Sequence, residues 1–182
     1  MKTPIALLPL AAAALLAACA ASPMKPMMMT VDNAALPEAV RVPAGEMQKM
    51  STTGVGEITY ECREKKDMAG QFEWAFVAPV ATLNDAVGKP VGKYYAGPTW
   101  EANDGSKFTG KQVAVAPATP GNIPLQLVKA DPAMGAGAMQ GINYVQRLKT
   151  QGGVAPSAPC AATNKMERRQ VAYQADYVFY GR

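Results

Sequence analysis

The chain ends in an unbroken alternation. Val171, Tyr173, Ala175, Tyr177 and Phe179 fall on one side of an extended segment, with Ala172, Gln174, Asp176 and Val178 on the other. Side chains at period two share one face of a strand, so this segment must lay an aromatic face on a core. The rest of the chain offers partners of the same kind. Ile58 and Tyr60 share a side within residues 55–62, and Phe72, Trp74 and Phe76 share a face of the next segment, which Pro79 is expected to stop. Residues 91–96 lead into Thr99-Trp100-Glu101, and Asn103-Asp104-Gly105-Ser106 supplies hairpin-turn chemistry. Residues 107–116 continue as a strand with Val113 and Val115 on one face. Ile123, Leu125 and Leu127 follow at period two, as do Ile142 and Tyr144 within residues 139–150, and Gln151-Gly152-Gly153 breaks the chain. Only residues 83–87 suggest a helical turn. With 16 Gly, 15 Pro and 18% charged residues, the composition suits sheet and loop better than a helical bundle. The pattern predicts one all-β domain from Leu36 to the C-terminus. Its roughly eight to ten strands would close as an antiparallel β-sandwich or flattened barrel.

The sequence contains no histidine. Ser-His-Asp and Cys-His nucleophile systems, His-ligated metals and the usual general base near neutral pH are therefore excluded. The formal charge is +4, but only Lys65-Lys66 and Arg168-Arg169 are adjacent basic pairs. Nucleic-acid binding needs a concentrated patch, so no nucleic-acid partner is expected.

The N-terminus reads as a leader. Lys2 is followed by an apolar Leu- and Ala-rich run over residues 5–18, too short to span a bilayer comfortably. It ends Leu16-Ala17-Ala18-Cys19, which resembles the lipobox of bacterial lipoproteins. The resemblance implies cleavage before Cys19, acyl chains on that cysteine and a bilayer as partner. An ordinary signal peptide cut after Cys19-Ala20-Ala21 is the other reading. Residue 20 is not the Asp that signals inner-membrane retention in enterobacteria, so the expected location is the outer membrane, facing the periplasm. Residues 19–35, rich in Ala, Ser, Pro and Met, read as a flexible tether. Its Met24 and Met27-Met28-Met29 suggest soft-metal binding, but the repeated spacing and added His or Cys of such sites are missing, and neither metal nor cofactor is expected.

Cys62 and Cys160 remain. An even pair in an oxidising compartment reads as a disulfide, whereas two thiolates without histidine make a poor metal site and lack C-x-x-C spacing.

Three ordered stretches carry a family resemblance. They are Gly92-Lys93-Tyr94-Tyr95-Ala96-Gly97-Pro98-Thr99-Trp100-Glu101 with Asp104-Gly105-Ser106; Val145-Gln146-Arg147-Leu148-Lys149-Thr150-Gln151-Gly152-Gly153 with Ala155-Pro156 and Cys160; and Tyr173-Gln174-Ala175-Asp176-Tyr177-Val178-Phe179-Tyr180. Together with Tyr60-Glu61-Cys62 they resemble the domain of unknown function 3455 family, from about Leu36 to the C-terminus. Many members of that family carry His where this chain has Tyr94. The family implies no activity.

The richest polar and aromatic stretch is residues 94–107. Tyr94, Tyr95 and Trp100 could stack on a sugar or another flat ligand, with Glu101 and Asp104 accepting hydrogen bonds and Arg147 meeting an anionic group. The competing reading puts Trp100 in the core, Asp104-Gly105 in a turn, and Arg147 in a structural pair with Asp176 or Glu101. The function expected is non-enzymatic: binding of a small ligand or glycan, or a structural role in the envelope. The alternative is a hydrolase of envelope sugars built on a carboxylate pair, such as Glu101 with Glu73 or Asp176.

Overall fold

The computed structural model describes residues 29–182; the leader, Cys19 and the first part of the tether lie outside them. Eight antiparallel strands follow one another: β1 (Met47–Glu64), β2 (Phe72–Asn84), β3 (Pro90–Tyr95), β4 (Thr99–Ala102), β5 (Lys107–Ala116), β6 (Leu125–Ala130), β7 (Tyr144–Gly152) and β8 (Arg168–Gly181). Each pairs with its neighbour in sequence, and β8 pairs back onto β1, so the sheet closes into a barrel. Closure runs almost the length of both terminal strands, from Met47 opposite Gly181 to Glu61 opposite Arg168. Of the two closures expected, the barrel is the one formed, and among the described residues no edge strand remains exposed.

The C-terminal alternation packs as read. Tyr173, Ala175, Tyr177 and Phe179 point into the barrel beside Ile58, Tyr60, Leu83, Tyr94, Trp100, Phe108, Val128 and Val145. Trp100 stacks on Phe108 (centroids 5.3 Å apart, 20° between planes), and Tyr177 lies against both Tyr94 and Trp100. Gly54 makes room for this cluster, because a Cβ there would lie 2.6 Å from the Tyr177 ring. Aromatic burial of this kind dominates the energetics of a small core.

A second apolar cluster lies outside the barrel. Leu127, Leu148, Val178 and Tyr180 face outward, and Val40 and Val42 cover them. The covering segment contains two short 3₁₀ turns, Asn33–Ala35 and Glu38–Val40, the first capped by the Asp32 carboxylate. Met29, Val31 and Leu36 pack on the same cluster, so the last part of the expected tether lies against the barrel. The completely buried Gln146 ties it down from the barrel side.

Several local expectations change. Pro79 does not stop its segment, because β2 runs through it to Asn84. Pairing with β3 starts only at Val80, so Pro79 lies where β2 has a neighbour on one side, a position that tolerates proline. Phe76 is more than half exposed, whereas Trp74 is partly buried against the core. Residues 83–87 form the end of β2 and a turn in which Asp85 accepts from the Val87 and Lys89 amides, not a helical turn. Ile142 precedes β7, and Ile123 joins the sheet only next to an isolated bridge. The disulfide Cys62–Cys160 is present, with Cα atoms 5.5 Å apart and a sequence separation of 98. It ties the end of β1 to the loop between β7 and β8.

Candidate functional site

The two ends of the barrel differ. At one end the β4–β5 turn, Met139 and Ile142 pack over Phe108 and Phe179. The other end is bounded by the β3–β4 turn, by Pro124 ahead of β6 and by the disulfide loop, and it holds an open pocket of about 320 Å³. Its lower wall is inward-facing side chains, Ile58, Tyr60, Pro79, Tyr94 and Ile123, and its rim includes Phe76, Pro98 and Gln112. The volume lies within the range of small-molecule sites, and apolar walls with a few polar groups are their usual composition.

Arg147 is the only charged residue lining it among the described residues. The alternation of β7 explains its placement. Val145 points inward and Gln146 and Leu148 outward, so Arg147 takes the next inward position, nearer the open end. Its Nε and Nη2 both donate to the Pro124 carbonyl, at 3.3 and 2.9 Å. No carboxylate neutralises it among the described residues, and Nη1 makes no hydrogen bond there. The structural pair expected for Arg147, with Asp176 or Glu101, is not formed with either: Glu101 pairs with Lys93. Asp176 instead accepts from Thr53 Oγ1 at 3.0 Å and pairs with Lys149 at 3.5 Å.

The phenols near Arg147 are pulled two ways. Burial pushes Tyr60 and Tyr94 above the ordinary tyrosine range and Tyr173 up to about 12, and the Arg147 charge works against each rise. Tyr177, completely enclosed, is also raised well above that range, by burial and then by the neighbouring Tyr173. All four are neutral hydrogen-bond donors at pH 7. Tyr60 donates to the Gly153 carbonyl at 2.8 Å, and the Tyr173 and Tyr177 hydroxyls meet at 3.3 Å. The Tyr94 hydroxyl has no partner among the described residues and opens on the pocket. Tyr60 and Phe76 meet edge to face, with centroids 6.1 Å apart.

The six residues expected to gather at one site separate. Tyr94 and Arg147 line the pocket. Tyr95 and Glu101 lie on the outer face of β3 and β4, where the Tyr95 hydroxyl donates to Glu101 Oε2 at 2.6 Å and Lys93 pairs with Oε1 at 3.1 Å. That hydroxyl, then Lys93, hold the Glu101 carboxyl below its usual range. Trp100 is core, 1% exposed. Asp104 sits at the far end of the barrel, where it accepts from Ser106 Oγ and from the Ser106 and Ala138 amides. Those bonds, the Ser106 hydroxyl first, lower its pKa and fix a turn. The carboxylate pairing of Glu101 with Asp176 has no geometry to support it, because β4 and β8 lie on opposite sides of an eight-stranded ring and both side chains face outward.

Sequence reading missed most of the pocket's wall. Tyr60 carried a signal, since it shares the inward parity of Ile58. Phe76 could not be placed by parity, because the bulge near Tyr60 shifts the alternation of β2; Gln112 and Gln126 keep the inward parity of Phe108 and Val128, but as polar residues they carried no core signal.

Comparison with known families decides the assignment: the model described as "Protein of unknown function (DUF3455)" matches residues 43–181, nearly the whole barrel. The chain belongs to that family. No curated protein and no solved structure matches it. The matched region takes in β1 to β8 and every residue lining the pocket, Tyr94 included, and it begins just after the segment that covers the outer cluster.

Proposed function

We propose that this DUF3455 member is an envelope lipoprotein that holds a small ligand in the open end of its barrel and performs no chemistry on it. The observation that carries the reading is the pocket itself: apolar walls, a free tyrosine hydroxyl and one uncompensated arginine converge on a space of small-molecule size. A hydrolase acting on envelope sugars has less to work with. No Asp or Glu lines the pocket among the described residues, and glycoside hydrolysis requires two carboxyl groups facing one bond.

The location rests on Leu16-Ala17-Ala18-Cys19 and on Ala20. In this reading the peptidase cuts before Cys19, acyl chains on that residue hold the protein to the outer membrane, and the barrel faces the periplasm. The folded segment from Met29 onward leaves residues 20–28 between anchor and barrel.

Two measurements test the proposal. Cells labelled with a fatty-acid analogue should incorporate it into the wild type and not into Cys19→Ala; equal labelling removes the anchor. A thermal-shift screen of the full chain should find small molecules that raise the melting temperature, since a ligand specific to the folded state stabilises it. Turnover of a glycan by the purified protein would replace binding with catalysis.

A further inference from the structure

We infer that the ligand of this pocket is a monoanionic carboxylate on a flat apolar body, with Arg147 as the group that recognises the carboxylate. The inference rests on the reading of the open barrel end as a ligand site, and it specifies what that site selects.

Charge is the first argument. A half-buried guanidinium beside four tyrosines lacks the carboxylate that usually accompanies such a group. Nearby strands do pair their cations: Lys93 has Glu101, Lys149 has Asp176, and Arg63 and Arg168 share Glu61. Arg147 alone faces the pocket, and both of its hydrogen bonds go to one neutral carbonyl, Pro124. That bond fixes the plane of the guanidinium from one side and leaves Nη1 to a ligand. A planar donor edge matches a carboxylate.

Stoichiometry of charge is the second argument. The pocket offers one cation and no anion among the described residues. A monoanion is neutralised there, whereas a phosphate dianion is left with uncompensated charge against apolar walls. The Tyr94 hydroxyl, kept protonated by burial, supplies a further donor for the same carboxylate or for a neighbouring oxygen.

Shape is the third. Ile58, Ile123 and Pro79 make dry walls, and Tyr60 and Phe76 present an edge and a face at 85°. A flat ring fills such a corner with more contact than a branched or hydrated body does.

The experiment uses the full chain and three probes of one shape: 2-naphthoate, 2-naphthamide and 2-naphthyl phosphate, titrated by calorimetry. The expected order places naphthoate about 10- to 100-fold tighter than the amide, the range for one charge-assisted contact. Arg147→Gln should remove that preference, and Lys149→Gln, whose charge is committed to Asp176, should keep it. The preference should also shrink as salt is raised. Gln112→Trp, a change at an exposed rim position, should block every probe. If naphthoate and naphthamide bind alike and Gln112→Trp abolishes both, the carboxylate inference fails and the ligand site stands. Tighter binding of the phosphate overturns the monoanion assignment. If no probe binds, or if Gln112→Trp leaves binding intact, the pocket is not the site and both readings fall.

Discussion

Gln146 donates from Nε2 to Asn33 Oδ1 at 3.0 Å, joining the outer face of β7 to the first 3₁₀ turn of the covering segment. The same amide group also donates to the Val40 carbonyl at 2.6 Å and accepts from the Tyr180 hydroxyl at 2.8 Å. One completely buried side chain thus satisfies three polar groups that the outer cluster has removed from water. Gln146→Leu leaves the Val40 carbonyl and the Tyr180 hydroxyl short of partners and should cost about 2–4 kcal/mol. Urea denaturation measures the loss, and limited proteolysis should show earlier cleavage within residues 29–42. An unchanged midpoint would remove this network from the account of stability.

Trp100→Ala should cost about 3–5 kcal/mol, as for other large aromatic side chains removed from a core. The loss should appear in denaturation of the protein before any ligand is added. Trp100→Phe should recover most of it, because the stack with Phe108 survives and the buried indole N–H, which lacks a partner among the described residues, is removed. A Trp100→Ala protein of native stability contradicts the core placement.

Loss of the Cys62–Cys160 bridge should destabilise the folded protein by up to about 4–5 kcal/mol, given the length of chain it closes. Comparing denaturation of the wild type with and without reductant, and of Cys62→Ala with Cys160→Ala, measures it. The two single variants should agree, since each removes the same link.

Acid should weaken the protein through Glu61. The side-chain hydrogen bond from Arg63, then that from Arg168, hold its pKa below the ordinary glutamate value, so the folded state favours the ionised form. The contribution is therefore complete above the unfolded value of about 4.3 and is lost as pH falls through the lower folded value. Glu61→Gln should flatten this part of the stability–pH profile. A profile unchanged by the substitution assigns the acid loss to other groups.

Alkali acts with the opposite sign. Burial raises Tyr173 and Tyr180 to about 12 and lifts Tyr177 well above the ordinary tyrosine range. Their contribution to stability is complete below about pH 10 and is lost as pH rises through the folded values. An ultraviolet titration should show these phenols ionising late, together with unfolding. Tyr173→Phe should leave the others late. Early ionisation of every tyrosine in the folded protein rules out this burial.

Much of the fold was legible because strand periodicity is a local property. The inward set on β8 and the hairpin turn around Asp104-Gly105 follow from residue order alone, and the disulfide followed from compartment and count. What was not legible depends on the third dimension. Residues 177–180 are apolar on both faces, which signals burial on both sides, yet nothing local says that Val40 and Val42 supply the second cover. The bulge near Tyr60 changes which residues of β2 face inward, so Phe76 could not be placed at the rim of the pocket by parity. Concentration of aromatic and acidic residues near Tyr94 was a poor guide for a related reason. Neighbours in a strand point to opposite sides, and a hairpin sends its turn to one end of the barrel only. Arg147 was singled out because a charge inside a strand needs a reason, and that physical argument survived better than the clustering did.

The closure of β1 on β8 also sets an order of events. A chain synthesised from its N-terminus presents β1 long before residues 168–181 follow, so β1 waits with one edge bare until the last segment arrives. Pairing between segments so far apart in sequence is slow, and an open strand edge is a template for association with other chains. The Cys160 thiol likewise reaches Cys62 only once almost all of the protein has emerged. A chain cut short before β8 should therefore fail as a whole rather than fold as seven-eighths of a barrel, and its fate is a matter for chaperones and proteases.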